Sequence, residues 1–93
     1  MKALTELQIL ARLKELNGWE YSNNALQTSF EFPNFKDAFS LMTRIAFEVE
    51  KMNHHPNWAN TYNYLEISLS THEVDGVTEK DFELAKIIDE LTA

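Results

Sequence analysis

The sequence predicts a two-layer α+β domain, with three helices on one face of a four-stranded antiparallel sheet in the order α-β-β-α-β-β-α. Three segments have the apolar periodicity of amphipathic helices, and two of them open with a capping box. Between them lie two pairs of strand-like segments, of which the second and fourth alternate apolar and polar residues. The last strand keeps a polar face, so we expect one side of the sheet to lack a helical cover. Helices packed on the other side form the second layer.

The first part of the chain predicts a helix over about residues 6–16 and then a hairpin. Thr5-Glu6-Leu7-Gln8 matches a capping box, in which the Thr side chain accepts from the amide three residues later. Gly18 suits the left-handed residue that ends a helix, since it has no Cβ to clash. A strand opens at Trp19, Asn23-Asn24 tolerates the backbone of a tight turn, and a second strand alternates over about 26–32.

The second helix, over about residues 35–53, contains the longest apolar stripe of the sequence. Asn34 can cap it, and Pro56 disfavours the helical conformation for His55, so we expect the helix to end at about His54. Phe47 lies off the stripe and is interpreted either as a lone exposed aromatic or as a subunit contact. The stripe expected to face the sheet comprises Phe35, Ala38, Phe39, Met42, Ile45, Ala46, Val49 and Met52.

The last part of the chain predicts a second hairpin and a third helix. A short strand over about 57–63 would place Trp58 and Tyr62 on one face. A turn at Asn63-Tyr64 would join it to a strand whose apolar residues alternate with polar ones as far as His72. A capping box at Thr78-Glu79-Lys80-Asp81 begins the third helix, over about 79–91.

Length and charge limit the kinds of function that the chain can have. We expect residues 1–93 to form one small domain, which at this length often gains stability by oligomerisation. The net charge is −7, from 8 basic and 15 acidic residues without a basic cluster, so nucleic acids and anionic membranes are poor partners. The chain has no cysteine, no signal-peptide pattern and no long apolar run. A cytoplasmic protein is therefore expected.

Three histidines are the candidate functional residues. Glu50 and His54 are four residues apart, which would place them on one face of the second helix. That carboxylate and the helix C-terminus would both favour an imidazolium at His54, and thus a proton donor near neutral pH. Because the third and fourth strands form a hairpin, the start of one lies beside the end of the other. We therefore expect His54 and His55 to lie near His72.

Each of these residues also has a simpler interpretation. A single histidine is most often an ordinary surface residue, and Glu50 is compatible with a solvated charge. The simplest interpretation of Asp81 is a helix-capping residue, with the Thr78 amide as its partner. Trp58 suits either the core or a wall beside a flat ligand.

Among chemical uses of three histidines, general acid–base catalysis agrees best with the sequence. A zinc site is less favoured, because adjacent histidines point in divergent directions and no cysteine is present. A serine nucleophile is also unsupported, since no Gly-x-Ser-x-Gly turn occurs.

The residues around the histidines resemble the pterin-4a-carbinolamine dehydratases. The resemblance rests on Glu50-Lys51, His54-His55-Pro56, Trp58, Tyr62, Leu69-Ser70-Thr71-His72, Gly76 and Asp81. It extends upstream through Gly18-Trp19, Phe30, Phe32, Phe35, Ala38-Phe39 and Thr43-Arg44, and so covers nearly the whole chain.

This resemblance implies an activity and a set of site residues. The activity is dehydration of a 4a-hydroxytetrahydropterin to the quinonoid dihydropterin, which recycles tetrahydrobiopterin, in a homodimer or homotetramer without a metal or cofactor. The implied catalytic residues are His54, His55 and His72, with Glu50 orienting His54 or contacting the pterin. Pro56, Thr71 and Glu73 would line the pocket, Trp58 would form an aromatic wall, and Asp81 would support a histidine.

The resemblance also implies a second kind of function, because some relatives promote the dimerisation of a transcription factor. That role would use an oligomer surface, such as the second helix around Phe47, and not the histidines. The sequence contains such a surface but identifies no protein partner.

Overall fold

The computed structural model describes residues 1–93 and confirms the predicted α+β class. Its helices are α1 (Glu6–Arg12), α2 (Phe35–Met52) and α3 (Glu79–Thr92), and short 3-10 turns follow α1 (Leu13–Glu15) and precede α3 (His72–Val74). Its strands are β1 (Glu20–Ser22), β2 (Ala25–Glu31), β3 (Asn57–Thr61) and β4 (Tyr64–Leu69). No helix is both long and apolar enough to cross a membrane.

The four strands form one antiparallel sheet in the order β1-β2-β4-β3. The first hairpin turns at Asn23 and Asn24, whose φ angles of 53° and 59° are those of the tight turn expected there. The second hairpin turns at Tyr62 and Asn63, one residue earlier than predicted, and Thr61 pairs with Tyr64. Tyr62 therefore occupies the turn, with a φ of 50°, and not the strand face that it was expected to share with Trp58.

The helices bury the apolar face of the sheet, but α2 is rotated relative to the prediction. Its buried residues are Ala38, Leu41, Ile45 and Val49. Phe35 and Phe39 remain 45% and 53% exposed, and their rings stack with centroids 5.5 Å apart. The rotation has a physical reason: α2 packs against both α3 and β4, so Leu41 is needed in the core and the two phenylalanines move to its edge.

The end of α2 differs from the prediction in a way that determines the site. The helix ends at Met52, and Asn53 follows in the left-handed conformation, with φ 53° and ψ 44°. The amide of Asn53 donates to the Glu50 carbonyl, and the amide of His54 donates to the Val49 carbonyl at 3.2 Å. This is the pattern of a Schellman cap, in which the chain turns out of the helix axis. His54 therefore lies beyond the helix, and its expected position on the same helical face as Glu50 is wrong.

The connection between β4 and α3 brings the second part of the site into place. Strand β4 ends at Leu69, so His72 belongs to a 3-10 turn and not to the strand face on which it was predicted. A bridge between Thr71 and Gly76 closes this connection, with the Thr71 amide donating to the Gly76 carbonyl at 2.7 Å. A Cβ added to Gly76 would lie 3.2 Å from the Cβ of Ala3, so the N-terminal segment packs closely against it.

Both predicted capping boxes are present. Thr5 and Gln8 exchange hydrogen bonds at the start of α1, and Thr78 and Asp81 do so at the start of α3. Gly18 has a φ of 82°, as expected of a left-handed residue, but it lies in the bend after the 3-10 turn and not at the end of α1.

Candidate active site

A short, buried polar contact of the candidate site joins His54 to Asp81. Nε2 of His54 lies 2.6 Å from Oδ1 of Asp81, across 27 residues of sequence. The side chain of Asp81 is fully buried and that of His54 is 10% exposed. The Schellman cap of α2 places His54, and the first turn of α3 places Asp81. Two separate elements therefore meet in one imidazole–carboxylate pair.

Asp81 is also the centre of a buried hydrogen-bond network. Its Oδ2 atom accepts from the Thr78 amide and from the Thr71 hydroxyl, each at 2.9 Å. The two threonine hydroxyls lie 2.6 Å apart, and the Thr78 hydroxyl accepts the Lys80 amide at 3.3 Å. Thr71 and Thr78 are 4% and 0% exposed. A buried carboxylate needs such donors, because its desolvation is otherwise costly.

The sequence identified only part of this network. Its capping box predicts the bond between Asp81 and the Thr78 amide, but nothing in the sequence reveals the contact between the two threonine hydroxyls. The hydroxyl of Thr71, which the resemblance assigned to the pocket lining, is instead occupied within the buried network.

The second histidine pairs with the carboxylate that had been expected at the first. Nε2 of His55 lies 2.7 Å from Oε2 of Glu50, and the two side chains are 53% and 75% exposed. The expected pairing of Glu50 with His54 is therefore wrong, because the left-handed Asn53 turns His54 away and brings His55 within reach. Two histidines thus have carboxylate partners, one buried and one exposed.

The third histidine, His72, is exposed at the start of its 3-10 turn. It directly follows Thr71, which donates to Asp81, and Asp81 in turn contacts His54. His72 is therefore linked to His54 through its sequence neighbour Thr71 and the hydrogen bonds that Asp81 makes to Thr71 and His54. His55 is the sequence neighbour of His54. No group of three or more His, Cys, Asp or Glu side chains is arranged to hold a metal ion.

The remaining candidate residues differ in their exposure. Pro56 and Trp58 are half-buried and Glu73 is exposed. Trp58 pairs with Ile67 across the sheet and packs on the hydrophobic core. It also borders a cleft of about 330 Å³, which Asn57, Ala59 and Glu66 line as well. None of the three histidines lines this cleft.

Fold and site together define a class: a two-layer α+β protein with two imidazole–carboxylate pairs and a third histidine that directly follows Thr71 of the buried network. A family model described as pterin 4 alpha carbinolamine dehydratase matches residues 2–91. The chain belongs to the pterin-4a-carbinolamine dehydratase family.

Individual relatives agree with this membership. The chain is 57% identical to a Christiangramia forsetii protein over 98% of this chain and 94% of that one, and 45% identical to a Paraburkholderia xenovorans protein over 97% and 96%. Both carry a provisional designation as pterin-4-alpha-carbinolamine dehydratases.

Solved structures have the same fold. A Brucella melitensis protein described as a transcriptional coactivator/pterin dehydratase superposes with a TM-score of 0.94, at 36% identity over 98% of this chain and 99% of that one. A pterin dehydratase-like protein identified as a RuBisCO assembly factor in the alpha-carboxysome superposes with a TM-score of 0.69, at 20% identity over 83% and 92%. This second likeness concerns the fold alone.

Proposed function

We propose that this protein eliminates water from a 4a-hydroxytetrahydropterin to give the quinonoid dihydropterin, as a step in tetrahydrobiopterin recycling. The observation that carries the proposal is the buried His54–Asp81 pair, with an Nε2 to Oδ1 distance of 2.6 Å, in a chain of the dehydratase family. Such a pair holds an imidazole in one orientation, which a proton-transfer catalyst requires. The proposed enzyme is one cytoplasmic domain that uses neither a metal nor a cofactor.

The proposed reaction needs two proton transfers. The bond between C4a and the hydroxyl oxygen breaks as that oxygen takes a proton and leaves as water. A proton also leaves a ring nitrogen of the pterin, and its electron pair forms the new double bond. Imidazolium supplies the first proton and neutral imidazole accepts the second, and both forms coexist near the ordinary histidine pKa of about 6.5.

The proposal assigns acid–base roles to His54, His55 and His72. Their positions suit such a division: His54 is anchored by a buried carboxylate, whereas His55 and His72 are exposed to an incoming ligand. Glu50 holds His55 at 2.7 Å and is proposed to orient that histidine or to contact the pterin.

Pocket-forming roles are proposed for the remaining candidate residues. Pro56 and Glu73 would contact the edge of the pterin, and the indole of Trp58 would form an aromatic wall beside the flat ring. Thr71 would contribute through Asp81, because its hydroxyl, its amide and its carbonyl are already bonded within the protein.

A stopped-flow ultraviolet assay tests the activity. The 4a-carbinolamine is generated in situ by a hydroxylase, and its decay is followed with wild-type protein and with His54→Ala, His55→Ala and His72→Ala. We expect wild-type protein to accelerate the decay and each variant to lose about 10²-fold or more of that acceleration. Lys14→Ala, an exposed change on the 3-10 turn after α1, is the matched control and should retain full activity. Wild-type protein that leaves the spontaneous decay unchanged would contradict the proposal.

A second candidate function is a non-catalytic role as a dimerisation cofactor or transcriptional coactivator. The Brucella melitensis structure is described by both terms, and α2 of this chain exposes Phe35, Phe39 and Phe47 to 45%, 53% and 67%. We propose that this surface also supports the expected homodimer or homotetramer. Phe47→Glu separates the two functions. It should disrupt assembly or partner binding in sedimentation experiments and leave the acceleration of carbinolamine decay unchanged. His72→Ala should have the opposite effects.

A further inference from the structure

We infer that Asp81, held by Thr71 and Thr78, fixes His54 in the tautomer protonated at Nε2, so that Nδ1 is the atom through which His54 exchanges protons with a ligand. This inference rests on the proposed function, because it assigns the atom that would carry the proton in the dehydration. Thr71 and Thr78 are then positioning residues that act through Asp81.

Oδ2 of Asp81 is saturated by donors. The Thr78 amide can only donate, and it reaches Oδ2 at 2.9 Å. The Thr78 hydroxyl accepts the Lys80 amide, and its own proton is directed to the Thr71 oxygen 2.6 Å away. The Thr71 proton then has Oδ2 as its acceptor, at 2.9 Å. This direction gives every donor an acceptor and leaves only Oδ1 to face His54.

Oδ1 is the remaining oxygen of the Asp81 carboxylate. It lies 2.6 Å from Nε2 of His54, and an ionised carboxylate can only accept. Nε2 must therefore carry a hydrogen. The short distance is that of a charge-assisted bond, which the full burial of Asp81 strengthens.

Nδ1 of His54 is the ring nitrogen that does not contact Asp81. No buried side-chain nitrogen or oxygen lacks a hydrogen-bond partner in the structure. Nδ1 makes no hydrogen bond within the protein, so it is not fully buried, and this 10% exposed side chain leaves it accessible to solvent. Its lone pair accepts a proton when the ring is neutral, and its N–H donates one when the ring is charged. Nε2 remains bonded to Asp81 in both states.

His55 provides an internal comparison within the same site. Its Nε2 atom contacts Glu50 at 2.7 Å, but Glu50 is 75% exposed and no buried donors hold its other oxygen. Water can replace that contact, so the inference predicts a fixed tautomer at His54 and a mixture of tautomers at His55.

Asp81→Asn provides the sharpest test, because it should invert the tautomer. The Thr78 amide and the Thr71 hydroxyl both require an acceptor at the Oδ2 position, so the amide oxygen of the new side chain occupies it. The NH₂ group then faces His54 and donates to Nε2, which moves the ring proton to Nδ1. An analogous Asp→Asn change in the serine-protease triad lowers kcat by about 10⁴-fold through the wrong tautomer.

The readout is a long-range ¹H–¹⁵N correlation spectrum of protein labelled at histidine, at a pH about two units above the ordinary histidine pKa of about 6.5. We expect wild-type His54 to show a protonated Nε2 and an unprotonated Nδ1, and Asp81→Asn to show the reverse. Glu50→Gln is the matched control, and it should leave the His54 signals unchanged. A wild-type His54 protonated at Nδ1, or divided equally between tautomers, would overturn the inference, and so would an unchanged tautomer in Asp81→Asn.

Activity supplies the second readout. Asp81→Asn should lower kcat by about 10²–10⁴-fold with little change in KM, since the lost proton transfer occurs after binding. Thr71→Val should lower kcat by about tenfold, the equivalent of one hydrogen bond, and Thr71→Ser should restore it. Equal activity of the Val and Ser variants would contradict the positioning role. If Asp81→Asn fails to fold, the wild-type spectrum and the two Thr71 variants still decide the question.

The two proposals fail in different ways. Wild-type protein that has the Nε2-protonated tautomer but does not accelerate carbinolamine decay would contradict the proposed function and support the assigned tautomer. Wild-type protein that accelerates decay with His54 protonated at Nδ1 would do the opposite.

Discussion

Asp81 and Glu50 allow a buried carboxylate network to be compared with a single exposed contact through two substitutions. Each carboxylate contacts Nε2 of a histidine at nearly the same distance, 2.6 Å for Asp81 and 2.7 Å for Glu50. Their side chains are 0% and 75% exposed. Asp81→Ala and Glu50→Ala therefore both delete a carboxylate contact to a histidine, the first within a buried network and the second at the surface.

The structure indicates very different costs for the two changes. Asp81→Ala leaves His54, the Thr71 hydroxyl and the Thr78 amide without their buried acceptor. Removing one partner of a buried pair costs about 3–5 kcal/mol, and this includes a helix cap of about 1 kcal/mol. Glu50→Ala removes an exposed contact that is worth less than about 1 kcal/mol. Against a total stability of about 5–15 kcal/mol, only the first change is large.

Urea denaturation measures the difference, with the fluorescence of Trp19 and Trp58 as the signal. With a urea dependence of about 1–3 kcal/mol per molar, Asp81→Ala should lower the midpoint by more than about 1 M, and Glu50→Ala by much less. All samples are compared at one protein concentration, because assembly adds to apparent stability. Equal midpoint shifts in the two variants would refute the view that burial of the network determines its contribution.

Three further predictions concern other parts of the fold. Asn53→Val should destabilise the left-handed end of α2 by about 1–2 kcal/mol and Asn53→Gly should be close to neutral, which thermal unfolding can measure. Phe82→Ala should cost about 3–5 kcal/mol in denaturation experiments, because the ring is fully buried beneath the Arg12 guanidinium, 4.4 Å from its centroid; a cost below about 1 kcal/mol would contradict this packing. The hydrogen bond from Lys86 holds the pKa of Glu15 below its ordinary value, so this exposed contact stabilises the fold at neutral pH and is lost as the pH falls through that lowered pKa. Lys86→Gln should raise the pKa of Glu15 in an NMR titration. The difference in stability between wild-type protein and this variant should disappear in acid. An unchanged titration of Glu15 would contradict the assigned cause.

The sequence by itself determined the local structure of this protein. Capping boxes at Thr5 and Thr78, the left-handed tolerance of Asn23-Asn24 and the alternation in β2 and β4 act within a few residues. Their effects are therefore readable from the chain, and the fold class followed from them. The spacing of the histidines and their neighbours likewise sufficed to identify the family.

Tertiary structure decided the partners of the catalytic candidates. A strict helical spacing pairs Glu50 with His54, but the left-handed Asn53 ends the helix earlier and exchanges the partners. The sequence also contains no signal that pairs the two hydroxyls of Thr71 and Thr78, since that contact depends on how β4 leads into α3.

Tertiary structure also decided which face of α2 is buried, because the apolar residues of this helix are abundant enough to allow more than one buried face. Periodicity alone favoured Phe35 and Phe39 as core residues, whereas contact with α3 and β4 selected Leu41 and left both aromatic rings partly exposed. Short-range hydrogen bonds and backbone preferences are properties of neighbouring residues, so the sequence determines where elements begin and turn. Which face of α2 is buried, and which carboxylate meets His54, depends on contacts between distant segments, so the packed chain alone decides them.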